Sequence, residues 1–260
     1  MIRAFILSVF VLCCVYEVQS KDIAIIDRTK PVGEKQAILI LPGFGSISHG
    51  VKNIRDYYID RGYDLFIPDF ISRKSLEECT RNIDEFINKY ALEEYKNIHV
   101  FCYIVGGWSF NLWLKDHELP NLTHIVYDRS PIQERAPYVL VEDLPFFSCL
   151  IAGKVLKEFS ETPYILNNKT AQKKIGIIIE KVPTKLMLKH KETAKKLGPI
   201  NWKLDGLMQR NNDYCYIEFN HDDLYEEFDE AGEQVLYFFK HGSFKSSANR
   251  TMPETNLYIE

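Results

Sequence analysis

The stretch at residues 98–111, Ile-His-Val-Phe-Cys-Tyr-Ile-Val-Gly-Gly-Trp-Ser-Phe-Asn, places a thiol at Cys102 and a hydroxyl at Ser109 on either side of two adjacent glycines. An apolar run that breaks into small residues and then resumes reads as a buried strand turning sharply into a helix. Thiols and hydroxyls become nucleophiles when a neighbouring base takes their proton. The chain also holds a histidine, His221, in Asn-His-Asp-Asp at residues 220–223, and carboxylates at Asp128 and Glu180 that close apolar runs. Residue types of this kind offer nucleophilic attack coupled to proton transfer. Whether they meet depends on the elements that carry them.

Those elements alternate. Residues 22–27 read as a weak opening strand, and 37–41 is a continuous apolar run of the kind buried on both faces of a sheet. It ends in Pro-Gly-Phe-Gly at residues 42–45. Val51, Ile54 and Tyr58 share a helical face that stops at Gly62, and residues 63–67 form the next buried strand. Ser75-Leu-Glu-Glu78 has the form of a capping box, followed by Leu76, Cys79, Ile83, Phe86 and Tyr90 at helical spacing. A third strand at 98–105, a helix to about residue 118 and a fourth strand at 122–127 continue the pattern. Further strands are expected at 174–180 and 214–219, and a last helix carries Leu224, Phe228, Ala231, Val235 and Phe238. This order predicts an α/β three-layer sandwich with a mostly parallel central sheet. Between about residues 129 and 173 the alternation breaks into prolines and the apolar segment 144–151, which reads as a cap or lid inserted over the sheet's C-terminal edge. The tail after Ser243 is polar and expected to be loose.

The chain has 260 residues, 46% of them hydrophobic, enough for one domain over residues 21–260. Residues 1–20 contain Arg3, an apolar core and the ending Val-Gln-Ser, the pattern of a secretory signal peptide that directs a protein to an extracellular or periplasmic location. No later segment is long and apolar enough to span a bilayer. The leader carries one Arg and one Glu, so the remainder keeps the formal charge of −4, with no basic face expected for nucleic acid. Cys79, Cys102, Cys149 and Cys215 allow three complete disulfide pairings, against which stands the reading of buried free thiols. Asn121, Asn168 and Asn249 begin N-x-S/T sequences. No metal set or cofactor motif is evident: His221 beside Asp222 and Asp223 lacks a second histidine at ligand spacing, and His49 reads as a helix-start surface residue.

With these elements in order, residues 37–241 resemble the α/β-hydrolase fold family, lipases and esterases among them. The resemblance rests on the element order, the glycine loop after the first long strand, the elbow-like turn and a histidine after the last strand. It implies a nucleophile in a G-x-S-x-G turn, and here that pattern is altered. Aligning Gly106-Gly107 with the small pair after the nucleophile places Ile104 in the nucleophile's position, a degenerate elbow. Aligning residues 107–111 instead makes Ser109 the nucleophile, with Asn111 in place of the final glycine. The interval to Pro120 favours the Ile104 register, in which Ser109 lies on the following helix. In either register Cys102 precedes the turn within the strand, where burial makes a thiol inert. The resemblance further implies His221 as general base, with Asp128, or alternatively Glu180, orienting it, and the Phe44 N–H as an oxyanion-hole donor. The competing roles are ordinary: a helix-capping histidine, an ion-paired or turn-capping Asp128, a solvated Glu180 and a plain turn at Phe44. Two expectations follow. In one, an exported protein without ordinary serine catalysis binds a hydrophobic acyl or lipid ligand, or a partner. In the other, an active serine ester or thioester hydrolase uses Ser109 and His221.

Overall fold

The computed structural model describes residues 22–44, 48–128, 135–162, 173–198, 212–226 and 228–253. The expected leader and Asn168 lie outside them, as do the side chains of His49 and His221. Seven strands form one sheet: β1 (Ile23–Ile25), β2 (Gln36–Leu41), β3 (Asp64–Ile67), β4 (Asn97–Tyr103), β5 (Leu122–Asp128), β6 (Lys174–Glu180) and β7 (Asn212–Ile217). Their order is β1-β3-β2-β4-β5-β6-β7, with β1 antiparallel to β3 and every other pair parallel. The central strands are largely apolar because both faces are covered.

One face carries α1 (Ser48–Tyr58), α9 (His221–Glu226) and α10 (Phe228–His241), and the other α2 (Leu76–Lys89) and α3 (Val105–Asp116). The lid consists of α4 (Arg135–Asp143), α5 (Pro145–Ala152) and α6 (Lys154–Glu161). Two five-residue helices, α7 (Lys185–Lys189) and α8 (Lys191–Lys195), follow β6 and pack on α4. Among the described residues no helix is long and apolar enough to cross a bilayer.

The capping box expected at α2 is half formed. Ser75 caps the helix, its hydroxyl accepting from the Glu78 N–H at 3.1 Å. The reciprocal half of the box is absent, because the Glu78 carboxylate is taken by the Ser72 hydroxyl at 2.6 Å and by Lys74 and Arg81. The tail also differs from expectation. Phe244 is buried against Phe238, the Tyr216 N–H donates to the Asn249 carbonyl at 2.8 Å, and Arg250 pairs with Asp213 at 2.8 Å. A polar segment is thus pinned to the sheet edge by backbone pairing that composition does not reveal.

The sheet's opposite end is closed by a buried ion pair. Lys35 Nζ lies 2.5 Å from Asp64 Oδ2, with relative exposures of 8% and 2%. Asp64 also accepts from the Tyr95 hydroxyl at 2.7 Å and the Asp27 N–H at 2.9 Å, while Lys35 donates to the Asp27 carbonyl at 2.7 Å.

A second polar inclusion lies under α10. His99 Nε2 is 3.0 Å from Gln36 Oε1, and its Nδ1 is 3.1 Å from His124 Nδ1. With the glutamine oxygen accepting, His99 carries its proton on Nε2, and its Nδ1 lies 3.1 Å from both His124 Nδ1 and the Thr123 hydroxyl. Burial, and then the charge of His124, lower the His99 pKa to about 3; burial and Lys174 lower that of His124. Since the folded pKa falls below the unfolded value near 6.5, the unfolded chain binds more protons at acid pH. Stability is therefore complete above about pH 6.5 and falls towards pH 3, with a His99 slope approaching about 1.4 kcal/mol per pH unit. Urea denaturation at intervals from pH 7 to pH 4 should show this slope, reduced by about one proton in His99→Phe, whose ring keeps the stack on Phe239.

Candidate active site

The sheet's C-terminal edge gathers the residues singled out by sequence. Ile104 alone joins β4 to α3, with φ 45° and ψ −107°. A β-branched side chain at positive φ is strained, so its surroundings must enforce the conformation. Its N–H donates to the Asp128 carbonyl at 3.3 Å, and its carbonyl accepts from the N–H groups of Gly107 at 2.9 Å and Trp108 at 3.3 Å. The first turn of α3 then passes so close to β2 that a Cβ on Gly106 would stand 2.1 Å from the Leu41 carbonyl oxygen. Ile104 is thus the single residue between the strand and the helix. Ser109 does not stand at a strand-to-helix turn: it lies within α3, fully buried and facing the Cys79 thiol of α2.

The strain at residue 104 can be measured. Ile104→Gly and Ile104→Ala lose similar buried contacts, yet only alanine keeps a Cβ at positive φ. Glycine should be the more stable by about 1 kcal/mol or more, the reverse of the usual order. Equal stabilities in chemical denaturation would show that the turn is relaxed.

Tyr103 pairs with Asp128, and Asp128 with Ile178, so Asp128 and Glu180, two residues beyond Ile178, project from the same sheet face. That face is the one covered by α1, α9 and α10, as the Phe101–Phe228 and His99–Phe239 ring contacts show. Both carboxylates are fully buried, which removes the solvated reading of Glu180. Glu180 pairs with Ile217 at the end of β7, and His221 begins α9 four residues later. The acids and the start of the histidine-bearing helix therefore share one face and one edge.

Phe44 follows β2 in the glycine loop, where a Cβ on Gly43 would lie 2.9 Å from the Tyr103 ring. The lid reaches this loop through Phe159 of α6, whose ring centroid is 6.0 Å from Phe44 and 4.9 Å from Trp108. Trp108 Nε1–H donates to the Thr162 carbonyl at 3.1 Å. The lid is also tied to the loop before α2: the Lys154 N–H donates to the Arg73 carbonyl at 2.9 Å, and Leu76 N–H donates to Glu158 at 2.8 Å. Sequence reasoning did not single out Trp108 or Phe159, since aromatic residues on helices signal burial without naming the partner. Cys79, Cys102, Cys149 and Cys215 are free; burial raises the pKa values of Cys79, Cys102 and Cys215, and Cys149 on α5 is exposed. Asn121 spends its side-chain amide on the Leu92 and Tyr95 carbonyls, at 2.9 and 2.7 Å.

No protein-family model matches the sequence, and no curated protein matches it significantly. Solved structures do. Est1E from Butyrivibrio proteoclasticus superposes with a TM-score of 0.54 at 13% identity, over 85% of this chain and 93% of that one. An α/β-hydrolase enzyme from a sediment metagenome of the Mar Chica lagoon, Morocco, gives 0.53 at 18% identity, over 84% and 94%. This chain has the α/β-hydrolase fold. A further match is the juvenile hormone epoxide hydrolase of the silkworm Bombyx mori, with a TM-score of 0.53 at 10% identity over 85% of this chain and 73% of that one. At these identities the likeness is one of fold. Within the α/β-hydrolase fold of this chain, Ile104, Asp128, Glu180 and the start of α9 occupy consecutive or neighbouring strand ends of a single edge.

Proposed function

We propose that this α/β-hydrolase-fold protein lacks ordinary serine catalysis and is exported to bind a hydrophobic acyl or lipid ligand, or a partner, at the lidded edge of its sheet. The observation that carries the reading is Ile104 in the strained turn between β4 and α3. A hydrocarbon side chain cannot attack a carbonyl, and the nearest hydroxyl along α3, that of Ser109, faces the α2 side of the molecule. The apolar preference draws on Phe44, Trp108 and Phe159, which meet where the lid joins the glycine loop.

A second reading has its own support. Asp128 and Glu180 are buried on the face that also receives α9, an arrangement suited to orienting His221, and the structural neighbours include proteins described as esterases and hydrolases. In that reading the chain is an ester or thioester hydrolase, with Ser109 attacking and the Phe44 N–H stabilising the oxyanion.

Labelling with a serine-directed fluorophosphonate separates the two. We expect no label on the wild-type chain, Ser109→Ala or His221→Ala, all three folded, and a rise in melting temperature with long-chain acyl ligands. Wild-type labelling that disappears in both variants would establish the hydrolase.

A further inference from the structure

We propose that the helix pair α7–α8, together with the start of lid helix α5, forms a docking surface for an anionic lipid bilayer. Residues 181–198 hold six lysines against one glutamate, a formal +5 within a chain whose total is −4. Folding sorts these charges. Met187, Thr193 and Ala194 are buried, while Lys185, Leu188, Lys189, Lys191, Lys196 and Leu197 are exposed.

Part of the charge is answered locally. Lys195 pairs with Glu192 at 3.0 Å, Lys196 approaches Glu142 at 3.8 Å, and Lys181 pairs with Glu218 at 2.5 Å. Lys185, Lys189 and Lys191 have no carboxylate within ion-pair distance among the described residues, and they bracket Leu188, which is 52% exposed. A lysine-flanked exposed leucine suits a lipid interface, since the aliphatic group enters the acyl boundary while the ammonium groups remain among the headgroups.

Exposed apolar groups also stand on α5, which follows α4 directly in the chain. Asp143, the last residue of α4, is held by His190 at 2.8 Å and by Thr193 at 2.7 Å. Phe146 stands three residues further on, within about 10 Å of chain, and is 74% exposed, the largest exposure of any apolar side chain described. Leu150, one turn later, is 42% exposed. Those two hydrogen bonds also occupy the Asp143 carboxylate, the acidic group nearest this junction on α4. The occupant is a bilayer rather than an acidic protein because the exposed Leu188 stands among the Lys185, Lys189 and Lys191 ammonium groups, offering apolar insertion and headgroup contact together.

Cosedimentation of the full chain with neutral phosphatidylcholine vesicles, and with vesicles containing one third phosphatidylglycerol, tests the proposal. The ratio of the two partition coefficients reads the electrostatic contribution apart from any apolar leader. Each lysine at such a surface contributes about five-fold, so we expect the anionic vesicles to be favoured by at least about ten-fold. Lys185→Glu/Lys189→Glu/Lys191→Glu should bring the ratio close to one, with circular dichroism unchanged. Phe146→Ser/Leu188→Ser should weaken binding to both vesicles several-fold while leaving the ratio standing. A wild-type ratio near one, or a ratio unaltered by the lysine reversals, would overturn the proposal. Binding to soluble polyglutamate without vesicle preference would overturn it in favour of an acidic partner.

Discussion

Replacing Gly106 by alanine should destabilise the protein by about 3 kcal/mol or more. Inside a helix the same exchange ordinarily stabilises by about 1 kcal/mol, since alanine is the better helix former. The sign reverses here because the added methyl would stand 2.1 Å from the Leu41 carbonyl oxygen and 2.8 Å from its carbon. Both are backbone atoms at the end of β2, where Leu41 pairs with Cys102 of β4, so no side-chain rotation relieves the contact. Either α3 lifts away from β2 or the strand bends. Gly62, with φ +87° and nothing within 4 Å of an added Cβ, supplies the comparison. Gly62→Ala should cost only about 1 kcal/mol, the backbone contribution alone. Urea midpoints for the two variants measure the difference, and a Gly106→Ala protein as stable as Gly62→Ala would refute the close approach.

The second large effect lies at the far end of the sheet. Asp64→Ala should cost about 3–5 kcal/mol, because it strands the Lys35 ammonium in a buried site. The loss exceeds that of a simple pair, since Asp64 also accepts from Tyr95 and from the Asp27 N–H. Exposed pairs such as Lys157–Glu161, with side-chain exposures of 67% and 65%, should by contrast be worth under about 1 kcal/mol. The double change Lys35→Met/Asp64→Leu removes both charges at similar volume and should recover most of the lost stability. A double variant as unstable as Asp64→Ala would mean that the hydrogen bonds to Asp64, rather than the orphaned charge, carry the effect.

The sheet was legible because strands buried on both faces leave continuous apolar runs: residues 37–41, 98–105 and 174–180 each hold an interior strand, the second ending at Tyr103 rather than Val105. The turn at Ile104 was legible too, since a glycine pair after such a run marks where the chain reverses and comes close to its neighbour. Other features depend on register, which no single strand encodes. That Asp128 and Glu180 project from one face follows only once β5 and β6 are aligned through Asp128 and Ile178. The helices α7 and α8 escaped notice because five residues make little more than one turn, too short for a 3.6-residue period to show. The tail was misread for a related reason: the Tyr216 bond to Asn249 is a backbone bond, to which the polar side chains around it give no clue.

A strand that must hand over to a helix lying back across its own sheet has very little chain in which to reverse direction, and in this molecule the reversal is concentrated at one joint, residue 104. The shape of that joint is thus a demand of the architecture, met by the Asp128 carbonyl and the glycine at 106 whether or not the side chain mounted there is reactive. Backbone shape alone therefore does not report which side chain stands at the joint. The same logic runs the other way: most isoleucine codons lie a single base from a serine codon, so this scaffold can change what it presents at the joint without first rebuilding the frame that holds it.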